Sequence, residues 1–575
     1  MKQLLLLTFY IIGTFSIATE DVLVVENSYV DDICASFDVV VYDATSGGIV
    51  AAVAAARSGT ASVALLCASW PACFDEGGRR IGGMSTNGLG QSDIASDPNI
   101  TIGGLAAEFY VRNRRKYYNI TREQSSQNCR LPSDSCERTY NLEAHVARDI
   151  FHEMLEENNV TIFYSAQVNR VVKNERNRLL SLVTSDGRCF NSTMFVDASY
   201  EGDLMARANV SYVVGRESNE TYNESLAGIS LGAESNQFSI AIDPYNNEGK
   251  LIRFVELPDE NTSKPGNGDH RVQSYNFRLC VTRKNDSIPF SKPSQYDIND
   301  WELLRRYVNA CINKTICQLG YPSCNTAPVP NSKYDMNNCG GISSDFIGYS
   351  NKYPEASYEE RQRIWLDHLN YQQGLLFTLQ NDPGIPKTVR DEMKSWGLCK
   401  DEFEDNSLAP HWPPGLYVRE ARRMLGFNVF TQNTPSVLNN ESIGLGHYNF
   451  DSHNTQRLAC HNRTVCFNTS GPYMTKNNTA FIWNEGDVEI RPKLYSIPRW
   501  VSIPKPSEVI NLLVVGTLSA SHIGISSLRM EPQFMIIGHA AGLTASIAIE
   551  SNVSRVLDVK YSDLRARLLS EGAFL

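Results

Sequence analysis

The chain has 575 residues, a net charge of −11 and fourteen cysteines. That length suits two or more domains, or one large α/β domain with insertions. The acidic balance, with no long basic run, excludes nucleic acid as a partner, because phosphate binding needs clustered Lys and Arg.

Residues 1–18, MKQLLLLTFYIIGTFSIA, join a lysine to an apolar run and small residues at Ser16 and Ala18. This pattern predicts a secretory signal peptide and a mature protein that is secreted or lysosomal. Fifteen N-x-[ST] sequons, from Asn99 through Asn223 and Asn285 to Asn552, predict N-linked glycans. The even cysteine count predicts disulfides. Cys67/Cys73, Cys129/Cys136, Cys311/Cys317 and Cys460/Cys466 are close enough in sequence to close small loops, with free buried thiols as the other reading. No stretch after residue 18 reaches the ~18 uninterrupted apolar residues of a membrane span.

Phe37–Val39–Val40–Val41–Tyr42 reads as a buried strand, followed by a small-residue turn, Ala44–Thr45–Ser46–Gly47–Gly48. An alanine-rich helix, 49–57, closes at Gly59, and a second strand spans 62–66. These are the proportions of a dinucleotide-binding βαβ unit, in which backbone N–H groups approach a pyrophosphate at a helix N-terminus. The G-x-G-x-x-G positions hold Asp43, Thr45 and Gly48, and Cys67 stands where an acidic ribose partner is expected. The motif alone leaves a nucleotide site and a plain buried βαβ unit both open.

The segment 77–93, GGRRIGGMSTNGLGQSD, is a glycine-rich loop placed to face a ligand. Helices are predicted over 104–118 and 141–158, the latter with His145 and His152 as packing residues. No cluster has zinc-ligand spacing, so no metal is expected. Strands follow over 160–170, 178–184 and 193–198, and the last ends at Asp197–Ala198–Ser199 before a helix from Asp203.

From 211 to about 500 the texture turns to Tyr, Trp, Asn and Pro, and the region reads as a substrate-facing insertion. Helices are predicted over 356–380 and 418–426, with Arg419–Arg423 as a salt-bridged helix face. His447, Asp451 and His453 are either general bases or polar loop residues. A strand over 509–515, a loop bearing His522 and Arg529, and an apolar helix over 533–550 return the chain to α/β character, with Pro532 suited to that helix's first turn.

Taken together, ATSGG, R-x-IGGMSTNGLG-x-SD, VDASYEGDLMA, VGRES, PNSKYDMNN, YVREARRMLG, NLLVVGTLSASH and SSLRMEPQFMIIGHAAG resemble, in order, the FAD-dependent oxidoreductase family whose bacterial members are labelled xanthan-lyase-like. The resemblance spans about 37–575 and implies an α/β fold. Its FAD/NAD(P)-binding Rossmann-like domain would be discontinuous, 37–210 plus 505–575, with an inserted α+β substrate domain over 211–504. It implies FAD as cofactor and a small polar or carbohydrate-like substrate, oxidised by hydride transfer to the flavin. The implied cofactor-binding residues are Thr45, Ser46, Gly47, Gly48, Arg80, Gly82, Gly83, Met84, Val168, Asp197, Ala198, Gly516, Ser519 and Gly542. His522 and Arg529 are the expected residues for substrate binding or its proton. Two departures stand out: family members usually carry Gly at Asp43 and Glu at Cys67. A like charge beside a diphosphate and a lost ribose partner make an inactive glycoprotein, keeping the fold but not the FAD, the alternative.

Overall fold

The computed structural model describes residues 22–25, 34–59, 61–75, 79–92, 101–117, 127–129, 136–230, 236–259, 264–311, 326–437, 439–460 and 480–575. The segment 1–18 and the sequon at Asn99 lie outside the described residues, as do Cys317 and Cys466.

An eight-stranded sheet carries the fold. Its strands are β1 (Val22–Val25), β2 (Ala35–Tyr42), β3 (Val63–Leu66), β4 (Thr161–Phe163), β5 (Val168–Asn174), β6 (Leu179–Thr184), β7 (Cys189–Asp197) and β8 (Leu512–Val514). The spatial order is β1-β5-β6-β7-β2-β3-β4. β7 is shared along its length: residues 189–191 pair antiparallel with β6, and 195–197 pair parallel with β8. Tyr42 faces both Leu66 and Asp197, and Asp197 faces Val514. The carboxyl ends of the four central parallel strands therefore finish at one level, where open α/β sheets hold their ligands.

On one face lie α1 (Ser46–Arg57), α2 (Gly104–Tyr117), α3 (Ala144–Glu156) and the C-terminal helix Glu531–Glu550. α1 is alanine-rich because it is pressed between the sheet and that C-terminal helix. A Cβ on Gly538 would collide with the Gly47 carbonyl, and one on Gly542 would collide with the Ala51 carbonyl. Glu531–Glu550 is long and apolar enough to cross a membrane, but 94% of its apolar window is buried inside the protein, so it is read as core.

A second core surrounds α4 (Tyr358–Asn381), with Trp365, Leu375, Leu379, Phe277 and Trp412. A four-stranded sheet, Thr326–Val329, Lys333–Met336, Leu279–Thr282 and Gly397–Leu398, belongs to it. Parts of the chain after 442 return to the first core, where Ile443, Phe450, Tyr495 and Ile497 pack, whereas Leu458, Cys460, Phe481 and Trp483 form a small cluster of their own. Disulfides join Cys34 to Cys189, Cys67 to Cys73 and Cys280 to Cys399.

Three sequence expectations need correction. The stretch 418–426 is not helical; only Arg423–Met424 is regular, as a short strand. Its side chains reach four different elements: Arg419 to Asp345, Glu420 to His522, Arg422 to Asp203 and Arg423 to Glu217. Those buried tertiary bonds override local helix propensity. The expected loop carrying His522 contains a short helix, α5 (His522–Leu528), with Ser521 accepting from the Gly524 N–H at 2.9 Å. The single strand expected over 160–170 is two, β4 and β5, separated by Ser165 at φ 54°. The C-terminal helix Glu531–Glu550 is α6.

Candidate functional site

The turn from β2 into α1 is built around Asp43, which adopts φ 73° and is buried. Left-handed backbone favours glycine, and Asp is among the residues that tolerate it. The Asp43 carboxylate turns away from the helix. It accepts from the N–H groups of Ala44 (2.9 Å), Ala68 (3.1 Å) and Ser69 (3.2 Å) and from the Ser69 hydroxyl (2.5 Å). It thus ties the turn to the end of β3, beside the Cys67–Cys73 disulfide. Burial raises its pKa above the ordinary value, although all four hydrogen bonds favour the charged form.

Thr45 caps α1, its Oγ1 accepting from the Gly48 N–H at 3.1 Å and donating to the Ala198 carbonyl at 2.8 Å. A Cβ on Gly48 would collide with the Asp43 carbonyl and lie 3.0 Å from the Ala198 Cβ. Asp197 faces away from this turn: it accepts from Ser199 and from the Met205 N–H (2.7 Å), fixing the helix Asp203–Arg207.

The glycine-rich loop folds onto the same turn. Gly82 donates its N–H to the Ala44 carbonyl at 2.7 Å, and Gly82 and Gly83 have φ 109° and 55°. A Cβ on Gly83 would collide with the Tyr200 hydroxyl. That hydroxyl accepts from the Met84 N–H (2.9 Å) and donates to Glu531 (2.6 Å). Ser46 donates to the other Glu531 oxygen, with Ser85 at 3.5 Å. Glu531 therefore sits at the first turns of both α1 and α6, where helix dipoles favour an anion. Burial nevertheless pushes its pKa up to about 7. Arg80 points elsewhere, to Asp405 at 2.7 Å.

Across β2, the Val168 N–H donates to the Tyr42 hydroxyl at 3.2 Å, and Tyr358 of α4 donates to the Val168 carbonyl at 2.9 Å. A narrow concavity of about 30 Å³ opens here, lined by Asp43, Ser69, Gln167, Ser199, Tyr358 and Trp365 among others. α4 is anchored beside it through Arg361 to Asp203 (2.7 Å). Arg361 and Arg422 hold the Asp203 carboxyl well below the usual range, against the desolvation that raises it.

On the β8 side, a Cβ on Gly516 would collide with the Ser199 carbonyl. The Ser519 hydroxyl is engaged by Asn428 (2.6 Å) and Gly426 (3.0 Å), and Gly542 lies in the α1–α6 contact. His522 is enclosed, with Nδ1 on Glu420 (2.8 Å) and Nε2 on Ser452 (2.8 Å). Arg529 reaches the Tyr417 hydroxyl (3.0 Å) and the Asp451 carboxylate (3.2 Å). Tyr417 packs with Met84 and Leu89 of the glycine-rich loop, so this group borders the loop directly.

Sequence reasoning left Tyr417 unmarked and read Arg419 as part of a salt-bridged helix face. The guanidinium carbons of Arg419, Arg278 and Arg529 lie 4.7, 5.8 and 5.8 Å from the Tyr417 ring centre. Asp345, Asp335 and Asp451 pair with them respectively. His453 bridges two of these acids, with Nδ1 2.8 Å from Asp345 and Nε2 3.7 Å from Asp451. Burial and Arg419 push its pKa down, but the two carboxylates prevail and the net shift is upward.

His145, expected to serve in helix packing, instead pairs with Glu402 at 2.8 Å. Glu143, His145 and Glu402 cluster closely, but the Lys333 ammonium already lies among them, 2.7 Å from Glu143 and 3.0 Å from Glu402. A cation is thus supplied by the chain itself.

The model of the FAD dependent oxidoreductase family matches residues 38–568. The chain belongs to this family. Membership indicates FAD as its cofactor; the N-terminus of α1 stands at the carboxyl end of β2, where the diphosphate of such a group would sit, while Gly48, Gly82 and Gly83 pack against the protein's own Asp43, Phe151 and Tyr200, and the hydroxyls of Ser46, Ser85 and Tyr200 converge on the Glu531 carboxylate. No curated protein matches the chain. Solved structures with a partial likeness include a flavin monooxygenase mutant from Stenotrophomonas maltophilia (16% identity, 33% of this chain and 44% of that one, TM-score 0.18). A 3-ketosteroid-Δ4-(5α)-dehydrogenase from Rhodococcus jostii RHA1 gives 14%, 41%, 64% and 0.21 on the same measures. Thioredoxin reductase from T. acidophilum gives 17%, 28%, 34% and 0.16. The chain covers less than two thirds of each, and such likeness says nothing about its activity.

Proposed function

We propose that this FAD dependent oxidoreductase family member is a secreted or lysosomal enzyme that oxidises a small polar or carbohydrate-like substrate by hydride transfer. Thr45, Ser46, Gly47 and Gly48 would hold the diphosphate, Gly82 to Met84 would run beside it, and Val168 would meet the adenine. FAD, when bound, supplies the hydride acceptor. The observation that carries the reading is the polar group bordering Met84 and Leu89: Tyr417, Arg529, Asp451 and His453. Arg529 and Tyr417 would bind the substrate oxygen. His453 would take its proton at Nε2, because Asp345 fixes Nδ1. His522, enclosed by Glu420 and Ser452, would act through them as a positioning residue.

The secretory assignment is supported by the disulfides and by exposed sequon asparagines at Asn159, Asn219, Asn285 and Asn552. The test is anaerobic flavin reduction by a panel of sugars and polyols. His453→Asn should slow reduction by 10²-fold or more without changing FAD content; an unchanged rate would remove His453 from the proposal.

A second reading is favoured by a separate observation. Asp43 is fully hydrogen-bonded within the protein, and both Val168 backbone groups are already bonded to Tyr42 and Tyr358. On that reading the chain is a non-catalytic glycoprotein whose own side chains fill the dinucleotide site.

A further inference from the structure

α4 separates two concave regions. Tyr358, Arg361 and Trp365 face the sheet, whereas Asp367, Asn370 and Tyr371 face away, and these sets lie on opposite sides of a helix about 10 Å across. On the far side is a cavity of about 160 Å³ that no part of the oxidoreductase reading uses.

Its floor is aromatic and ordered. Tyr349, Phe346 and Tyr371 form a stack, with ring centres 3.8 and 4.2 Å apart and planes within 8° and 7° of parallel. Phe254 stands edge-on to all three and also meets Trp301. Phe254 is held at φ 67°, where a bulky side chain is strained. Its ring forms part of the cavity wall. Tyr349, at the outer end of the stack, is 45% exposed.

The rim is polar and mixed in character. Asp297, Asp300 and Asp367 supply carboxylates, Gln295 and Asn370 supply amides, and Arg253 pairs with Asp300 at 3.4 Å. The side chains of Gln295, Asp367 and Asn370 make no hydrogen bond to a described residue. Burial raises the pKa of Asp300 and Asp367, which marks them as partly withdrawn from water.

We propose that this cavity is a saccharide-binding site. A cationic ligand would use the carboxylates and the rings but leave the donors of Arg253, Gln295 and Asn370 unused. An organic acid would need donors alone, and three carboxylates oppose it. Sugar hydroxyls both donate and accept, which matches a rim of carboxylates, primary amides and one guanidinium. The C–H face of a pyranose is apolar and fits an exposed aromatic ring such as Tyr349. The site lies beyond α4 from the dinucleotide turn, so it stands whether or not the flavin reading does.

Saturation-transfer NMR on the full secreted protein, freed of its own N-glycans, tests the site. The probes are methyl β-D-glucopyranoside, methyl β-D-galactopyranoside, methyl α-D-mannopyranoside and N-acetyl-D-glucosamine, with tetramethylammonium and benzoate as the competing classes. At least one sugar should show transfer to its ring protons. That binding should weaken tenfold or more in Tyr349→Ala and in Asn370→Ala, while FAD content and melting temperature stay as in the parent. Transfer from no sugar on the panel, sugar binding unchanged in Tyr349→Ala, or binding of tetramethylammonium or benzoate alone would overturn the proposal.

Discussion

Asp43 shows how one residue can keep a fold and burden its ligand. Its φ of 73° is glycine's territory, and its carboxylate is the acceptor for the N–H groups of Ala68 and Ser69. Asp43→Gly should relieve the backbone but orphan those donors, lowering stability by about 1–3 kcal/mol in chemical denaturation. The same variant should raise flavin occupancy, read from absorbance after purification, because it removes a buried charge next to the diphosphate position. Glu531 gives a pH signature. Its folded pKa of about 7 lies above the ordinary 4.5, so between those values the folded carboxyl keeps a proton that the unfolded one releases. Its contribution is therefore complete below pH 4.5, declines as pH rises to 7, and is flat beyond. Melting curves from pH 4.5 to 7.5 should fall less steeply for Glu531→Gln than for the parent. The position of Asp43 in the fingerprint was visible in the sequence. Its partners were not, since Ala68 and Ser69 meet it only through strand pairing. Glu531 carried a faint signal, an acid before Pro532 at a helix start, and its contacts with Ser46 and Tyr200 lie 485 and 331 residues away.

At the scale of elements, α1 and α6 are joined by glycine contacts that leave no room for a methyl group. Gly542→Ala should destabilise the protein by about 1–3 kcal/mol, read as a fall in melting temperature, because the Ala51 carbonyl cannot move away from its helix. On the proposed reading, α4 competes with the cofactor at Val168. Tyr358→Phe frees the Val168 carbonyl and should tighten FAD binding to stripped protein several-fold in a fluorescence titration; weaker or unchanged binding would show that Tyr358 does not compete. α3 was legible from its apolar spacing, and α1 and α6 from apolar, small-residue runs bounded by turn signals. The stretch 418–426 was misread because Arg419 and Arg423 look like a solvated helix face but are buried in ion pairs. Nothing local in the sequence distinguishes the two.

The whole molecule is a dinucleotide-binding sheet with a second core packed over its carboxyl edge, and family membership covers both. The split of the sheet between the two ends of the chain was readable from the return of strand and helix patterning after 505. The return of Ile443, Phe450, Tyr495 and Ile497 to the first core was not, because their short strands carry little periodicity. The central claim is that this architecture holds FAD despite Asp43, the Cys67–Cys73 disulfide and the internally bonded Val168. The most direct test is the visible spectrum of the protein made through a secretory pathway, followed by release and quantitation of flavin on denaturation. The account predicts a flavin band near ~450 nm and about one FAD per chain at saturation. A well-folded, colourless protein that takes up no added FAD would contradict it.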